Sequence, residues 1–207
     1  MYPPHPGAPP TSPAAAEQLL FDVNQRWMAE GQTHPREDNV RRNEVAPLSY
    51  HQEPWAMILG CIDSRVPPEL IFDQGLGDLF VSRTAGQVVD RAVYGSASYA
   101  AGISAVQLIV VLGHENCGAV SKAIEWADGS PPPGVSPHLK WLTDEITPAI
   151  PPAGTPNRLN LAINENVRRI RAKLVLEEPT KTRIAAGTLR VIGARYELGT
   201  WIVTKVN

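Results

Sequence analysis

Gln107-Leu108-Ile109-Val110-Val111-Leu112, followed at once by Gly113-His114-Glu115-Asn116-Cys117, is the stretch on which the fold turns. Its first six residues have strand length, unbroken apolar character and many β-branched side chains, as in a strand buried on both faces. Two runs of the same kind precede it, Ala56-Met57-Ile58-Leu59-Gly60 and Leu79-Phe80-Val81-Ser82. Between the second and third runs, Val89, Val93, Ala97 and Ala100 or Ala101 share one helical face within Val88 to Gly102. Strand, helix, strand predicts a parallel pairing, because the helix returns the chain to the same end of the sheet. The expected fold is α/β: a mostly parallel central sheet flanked by helices, with an N-terminal helical arm.

Working outward, residues 1–14 hold six prolines among small residues and are expected to form a flexible arm. Ala16, Leu20, Val23 and Trp27 then recur at helical spacing, giving a docking helix over about 15–31 within a single domain that runs from 15 to 207. Downstream, a helix is expected from near Cys117, and Gly129 to Pro137, with four prolines, reads as a loop. Leu159, Ala162 or Ile163, Val167, Ile170 and Leu174 mark a long amphipathic helix whose arginine-rich face is expected in solvent. Thr188 to Gly193 and Thr200 to Val203 close the chain as a hairpin or sheet-edge pair.

Nineteen basic against 21 acidic residues leave a net charge of −2, without the basic stripe that neutralises phosphates, so nucleic acid is not an expected partner. The most apolar stretch, Tyr99 to Gly113, is broken by Gly102, Ser104 and Gln107 and is shorter than the roughly 20 residues that span a bilayer. Met1-Tyr2-Pro3-Pro4 has neither a cationic start nor an apolar segment behind it, and a cytoplasmic location is expected.

Both cysteines of the chain fall in short motifs, Cys61-Ile62-Asp63-Ser64-Arg65 and His114-Glu115-Asn116-Cys117. Each motif directly follows a predicted strand, and ligand sites in open α/β sheets lie at the carboxyl ends of the strands. Cys117 is expected in the first turn of a helix, where free amides and the helix dipole favour a thiolate. Two sulfurs and one imidazole suit a tetrahedral zinc, its fourth position going to water or to a carboxylate such as Asp63. The alternatives at this point are two buried cysteines acting as small hydrophobes, or a disulfide, which a cytoplasmic setting disfavours.

The set Cys61-x-Asp63-Ser64-Arg65, Arg83-Thr84-Ala85-Gly86 and Gly113-His114-x-x-Cys117-Gly118 resembles the β-class carbonic anhydrases over most of the chain. The resemblance implies a Zn²⁺ ion held by Cys61, His114 and Cys117, and reversible hydration of carbon dioxide to bicarbonate and a proton. It implies a catalytic dyad in which Arg65 pins Asp63 and Asp63 orients the attacking hydroxide, or, when the pair breaks, becomes the fourth ligand. Gln52, in Gln52-Glu53-Pro54, matches a substrate-binding position, as do Phe80, Ala85, Tyr99 and Gly118. Family members are dimers or dimers of dimers with an N-terminal helix embracing a neighbour, a role open to the Ala16 to Trp27 stripe.

Two positions depart from common variants. Thr84 replaces a frequent asparagine, and Ile58 stands where members with an inhibitory bicarbonate pocket carry tryptophan, so that pocket is not expected and the site is expected open. None of His5, His34, His51 or His138 is assigned as a proton shuttle. Other readings of the same fold are a carbon disulfide or carbonyl sulfide hydrolase, and a zinc-stabilised scaffold or sensor without catalysis.

Overall fold

The computed structural model describes residues 10–48 and 52–207. Ser12 starts the first helix by accepting the Ala15 N–H at 3.2 Å, so α1 (Pro13–Met28) begins inside the stretch expected to be an arm. Proline suits the first helical position, where its missing N–H has no intrahelical acceptor anyway. Residues 1–9 of that stretch lie outside the described residues.

A short α2 (Asn39–Val45) follows, capped by Asp38. Next come β1 (Ala56–Cys61), the single turn α3 (Pro68–Ile71), β2 (Leu79–Thr84), α4 (Arg91–Gly102) and β3 (Leu108–His114). The helix expected from Val88 begins instead at Arg91, because the Asp90 carboxylate caps the Val93 N–H at 2.9 Å. After β3 stand α5 (Gly118–Asp128), α6 (Pro137–Ile146), α7 (Arg158–Leu174) and α8 (Thr180–Ala185), then β4 (Arg190–Tyr196) and β5 (Val203–Val206).

The sheet runs β2-β1-β3-β4-β5; the first four strands are parallel and β5 is antiparallel to β4. The closing hairpin is therefore present, with its second strand three residues later than expected. Trp201 sits at φ 63°, which turns the chain, and extended pairing starts only at Val203. Alternate residues of the central strands feed two cores: Ala56, Ile58, Leu108 and Val110 on one face, Met57, Leu59, Ile109 and Val111 on the other. Both faces are buried, which is why the strand sequences do not alternate with polar residues.

Two glycines set how closely α7 packs on the sheet. A Cβ at Gly113 would lie 2.6 Å from Val167 Cγ2, and one at Gly193 would lie 2.7 Å from Val167 Cγ1. A larger residue at either position would push the helix away from the strand that ends in His114.

Ala16, Leu20 and Val23 are fully buried within their own chain. Three residues of the stripe expected to embrace a neighbour are thus covered by their own chain, while Trp27 is only partly buried. Asn24 fixes the helix by donating to the Ile71 and Trp201 carbonyls and accepting the Val203 N–H, while Arg26 pairs with Asp73 in the interior. Among the described residues no helix is long and apolar enough to cross a membrane.

Candidate metal centre

Cys61 ends β1 and His114 ends β3, two neighbouring parallel strands, so their side chains start from the same edge of the sheet. Asn116, at φ 53°, then reverses the chain sharply, and Cys117 becomes the N-cap of α5. The sequence placed Cys117 in the first turn; it lies one residue earlier and still faces the free amides of that turn. The ligand atoms of all three buried residues lie within 4.8 Å of one another. The two sulfurs are 3.9 Å apart and unbridged, so no disulfide forms.

The protons of the cluster are set by its neighbours. His114 Nδ1 lies 2.8 Å from the Glu115 carbonyl, which can only accept, so Nδ1 carries the hydrogen and Nε2 keeps its lone pair. Nε2 is buried without any hydrogen-bond partner. Such an orphan costs about 1–3 kcal/mol unless something occupies it. The Cys117 sulfur 3.9 Å away, then the His114 side chain and the backbone N–H groups of Asp63 and Gly86, the last at 3.3 Å, outweigh burial and hold the Cys61 pKa down to about 4. Cys117, which keeps the shared proton against that thiolate in a buried setting, is pushed up. One thiolate, one neighbouring thiol and one free imidazole lone pair form a donor set that fits a zinc-like ion.

Asp63, two residues beyond Cys61, is gripped by Arg65. Arg65 Nε donates to Oδ1 at 2.9 Å, Nη2 donates to Oδ2 at 2.8 Å, and the Arg65 backbone N–H donates to Oδ1 at 3.0 Å. These bonds outweigh partial burial and hold the Asp63 carboxyl at about 2. Oδ2 is 4.0 Å from His114 Nε2, so the carboxylate faces the ligand cluster while bound to the arginine. Arg83, unassigned in the sequence beyond its motif, ties the loop down: Nε donates to the Cys61 carbonyl at 2.8 Å and Nη2 to the Asp63 carbonyl at 2.5 Å. Thr84 donates its hydroxyl to the Val88 carbonyl at 2.7 Å.

The remaining predicted residues divide. Ala85 directly follows Thr84, the residue paired with Cys61 across the sheet, and Gly118 directly follows Cys117 with open space where a side chain would stand. Gln52, Phe80 and Tyr99 are not brought to the cysteines within this chain. Gln52 is exposed in the segment before β1, at the strand end opposite Cys61. Phe80 pairs with Met57 and points to the other face of the sheet, where its ring meets Tyr99 edge-on at 6.1 Å along a groove of about 510 Å³. Ile58 is fully buried in the core. His34 faces Glu37 and His138 is exposed on α6, whereas His5 and His51 lie outside the described residues.

Residues 56–203 match the family model described as carbonic anhydrase. The chain is 39% identical over 195 residues to carbonic anhydrase 2 of Mycobacterium tuberculosis, covering 92% of this chain and 91% of that one. It is 40% identical, with the same coverage, to the carbonic anhydrase of Mycolicibacterium smegmatis. Among solved structures, a tetrameric β-carbonic anhydrase from Sordaria macrospora superimposes with a TM-score of 0.62 at 22% identity, covering 92% of this chain and 96% of that one. The chain therefore belongs to the carbonic anhydrase family and has the fold of its β class.

Proposed function

We infer that Cys61, His114 and Cys117 hold a zinc ion and that the protein uses it to hydrate carbon dioxide reversibly to bicarbonate and a proton. The observation that carries this is the convergence of three buried ligand atoms within 4.8 Å, one of them an imidazole nitrogen with no other partner. Zinc bound there supplies Lewis acidity, which makes water nucleophilic near neutral pH.

The protein's own part rests on Asp63 and Arg65. A carboxylate held at about 2 stays ionised throughout the working range, so Oδ2 accepts a hydrogen bond from the nucleophile's O–H and turns an oxygen lone pair toward the substrate. Arg65 fixes that carboxylate through its planar fork and, while it does so, keeps it from serving as a fourth ligand. This supports the open form of the site, in which Asp63 would stay out of the ligand set. The open space at Gly118 leaves room for a small apolar molecule to approach.

Gln52, Phe80 and Tyr99 contribute to substrate binding in this reading only through a second copy. β2 is an edge strand, and Phe80 and Tyr99 are partly exposed beside it, which suits a homodimer or dimer of dimers with pocket residues drawn from two subunits. The unbridged cysteines fit a reducing, cytoplasmic setting.

Stopped-flow hydration of carbon dioxide by zinc-loaded protein, at neutral and mildly alkaline pH, tests the proposal. Turnover that disappears on chelation and returns with zinc is expected. Metal-replete protein inactive at both pH values, or active only on carbon disulfide or carbonyl sulfide, would overturn it.

A further inference from the structure

We propose that Asn166, on α7, is a positioning residue for the metal centre, acting on the sulfur of Cys61 through the Ala85-Gly86-Gln87 turn. This rests on the reading that Cys61, His114 and Cys117 bind the metal. Asn166 is 2% exposed, and its Nδ2 donates to the Gly86 carbonyl at 2.9 Å. On the other side of the same Cα, the Gly86 N–H donates to Cys61 Sγ at 3.3 Å. Asn166 thus holds one peptide plane of Gly86 while the other is aimed at the sulfur.

That turn has reason to need holding. Gly86 lies at φ 62°, ψ 23°, and the next residue, Gln87, is also left-handed at φ 48° although it is not glycine. Left-handed geometry is strained for a non-glycine residue and persists where surrounding contacts impose it. The Gln87 side chain does not supply them, because both of its amide atoms are buried without partners. Packing closes on the turn from outside: a Cβ at Gly86 would stand 2.8 Å from Ile146 Cδ1 and 3.2 Å from Ala119 Cβ. Steric walls restrict where the turn can go, and the Asn166 bond fixes its rotation.

The consequence for the centre is electrostatic and geometric. An N–H aimed at a thiolate withdraws charge from sulfur and fixes the direction of its remaining lone pairs. Loss of the Asn166 anchor frees the Gly86 peptide to rotate, so Cys61 becomes a stronger donor with a less defined direction. A buried asparagine could instead merely satisfy a carbonyl and support folding; that role predicts lost stability without any change at sulfur.

The two roles separate in cobalt-substituted protein. Asn166→Ala is compared with Asn24→Ala, which removes an equally buried asparagine that makes three backbone bonds away from the centre. In Asn166→Ala the sulfur-to-cobalt charge-transfer band is expected to shift and metal release to a chelator to quicken roughly tenfold to a hundredfold. In Asn24→Ala the band is expected to stay in place although thermal stability falls. Asn166→Ser, whose hydroxyl is too short to reach the Gly86 carbonyl, should reproduce the shift, and it carries the test if the alanine variant does not fold. A wild-type band and release rate in the folded Asn166 variants would overturn the proposal while leaving the metal site intact. A wild-type protein that takes up neither cobalt nor zinc would overturn both.

Discussion

Two aspartate–arginine pairs in this molecule use the same groups to opposite ends. Asp63 and Arg65 are two residues apart, and their side chains are 17% and 55% exposed. Asp73 and Arg26 are 47 residues apart and 1% exposed each; the Asp73 carboxylate also accepts the Thr33 and His34 N–H groups and the Thr33 hydroxyl. A local, wet pair can open and close without disturbing the fold, whereas a remote, dry pair locks α1 and the chain after it onto the segment leading into β2. The comparison teaches that the exposed pair lies beside the partnerless Nε2 of His114, where a proposed site needs a carboxylate, while the dry pair lies where it ties distant segments together.

The harshest way to sharpen the contrast is to remove a ligand. Cys117→Ser is expected to retain no metal after dialysis and to show background activity, because a neutral hydroxyl is a far poorer zinc donor than a thiolate. The far-ultraviolet spectrum should remain that of the wild type, since both cores form without contribution from a bridge. Metal analysis by atomic absorption checks it; full metal occupancy in this variant would remove Cys117 from the ligand set.

Breaking the buried pair comes next. Arg26→Ala leaves Asp73 ionised in the interior with only backbone and hydroxyl donors, and loss of one partner of a buried pair costs about 3–5 kcal/mol. Urea unfolding should show that loss with the slope unchanged, while kcat/KM per folded molecule stays near the wild-type value. A larger loss of turnover than of stability would mean that the α1 lock also governs the site.

The exposed pair should behave the other way. Asp63→Ala is expected to lower kcat/KM about 100-fold, which corresponds to about 2.7 kcal/mol at the transition state. Its stability should change by about 1 kcal/mol or less, as for an exposed ion pair. Arg65→Lys keeps the charge but loses the two-pronged grip, so its activity should fall between Asp63→Ala and wild type. Equal activity of all three proteins in stopped-flow assays would dissolve the contrast on which the assignment of Asp63 rests.

How much of this could be read from the sequence depended on the range of each interaction. The parallel core strands were legible because burial on both faces leaves an unbroken apolar run, and the candidate metal cluster because Cys61 and His114 follow such runs directly. Asp63 and Arg65 were legible because they are local to Cys61. α2, α6 and α8, of seven, ten and six residues, were missed, since so few turns show little periodicity. Arg26 carries no expectation from the sequence, because nothing near it announces Asp73, 47 residues away. Asn166 was invisible for the same reason: the turn it holds lies 80 residues away. Phe80 matches a pocket position in the sequence, but its contacts place it with Met57 and Tyr99, in the core on the other side of the sheet from the one that holds Cys61.

Acid provides the mildest test of the two pairs. Burial opposes ionisation of Asp73, yet the Arg26 guanidinium with the Thr33 and His34 amides outweighs it and leaves the carboxyl below its ordinary value. A depressed native pKa means that the unfolded chain takes up the proton first as the pH falls. The stabilisation from Asp73 is therefore fully present above about pH 5, where both states are ionised, and declines as the pH passes the unfolded value of about 3.9. It is gone once the pH is below the native value. Asp63, held at about 2, adds a drain in the same direction, discounted because its arginine is half exposed. Chemical denaturation across this window should show stability falling with pH in the metal-free wild type and falling less steeply in Asp73→Asn, which starts from a lower stability. If the slope of Asp73→Asn matched the wild type while that of Asp63→Asn were flat, the exposed pair would be the acid-sensitive one, and the division of labour between the two aspartates would be reversed.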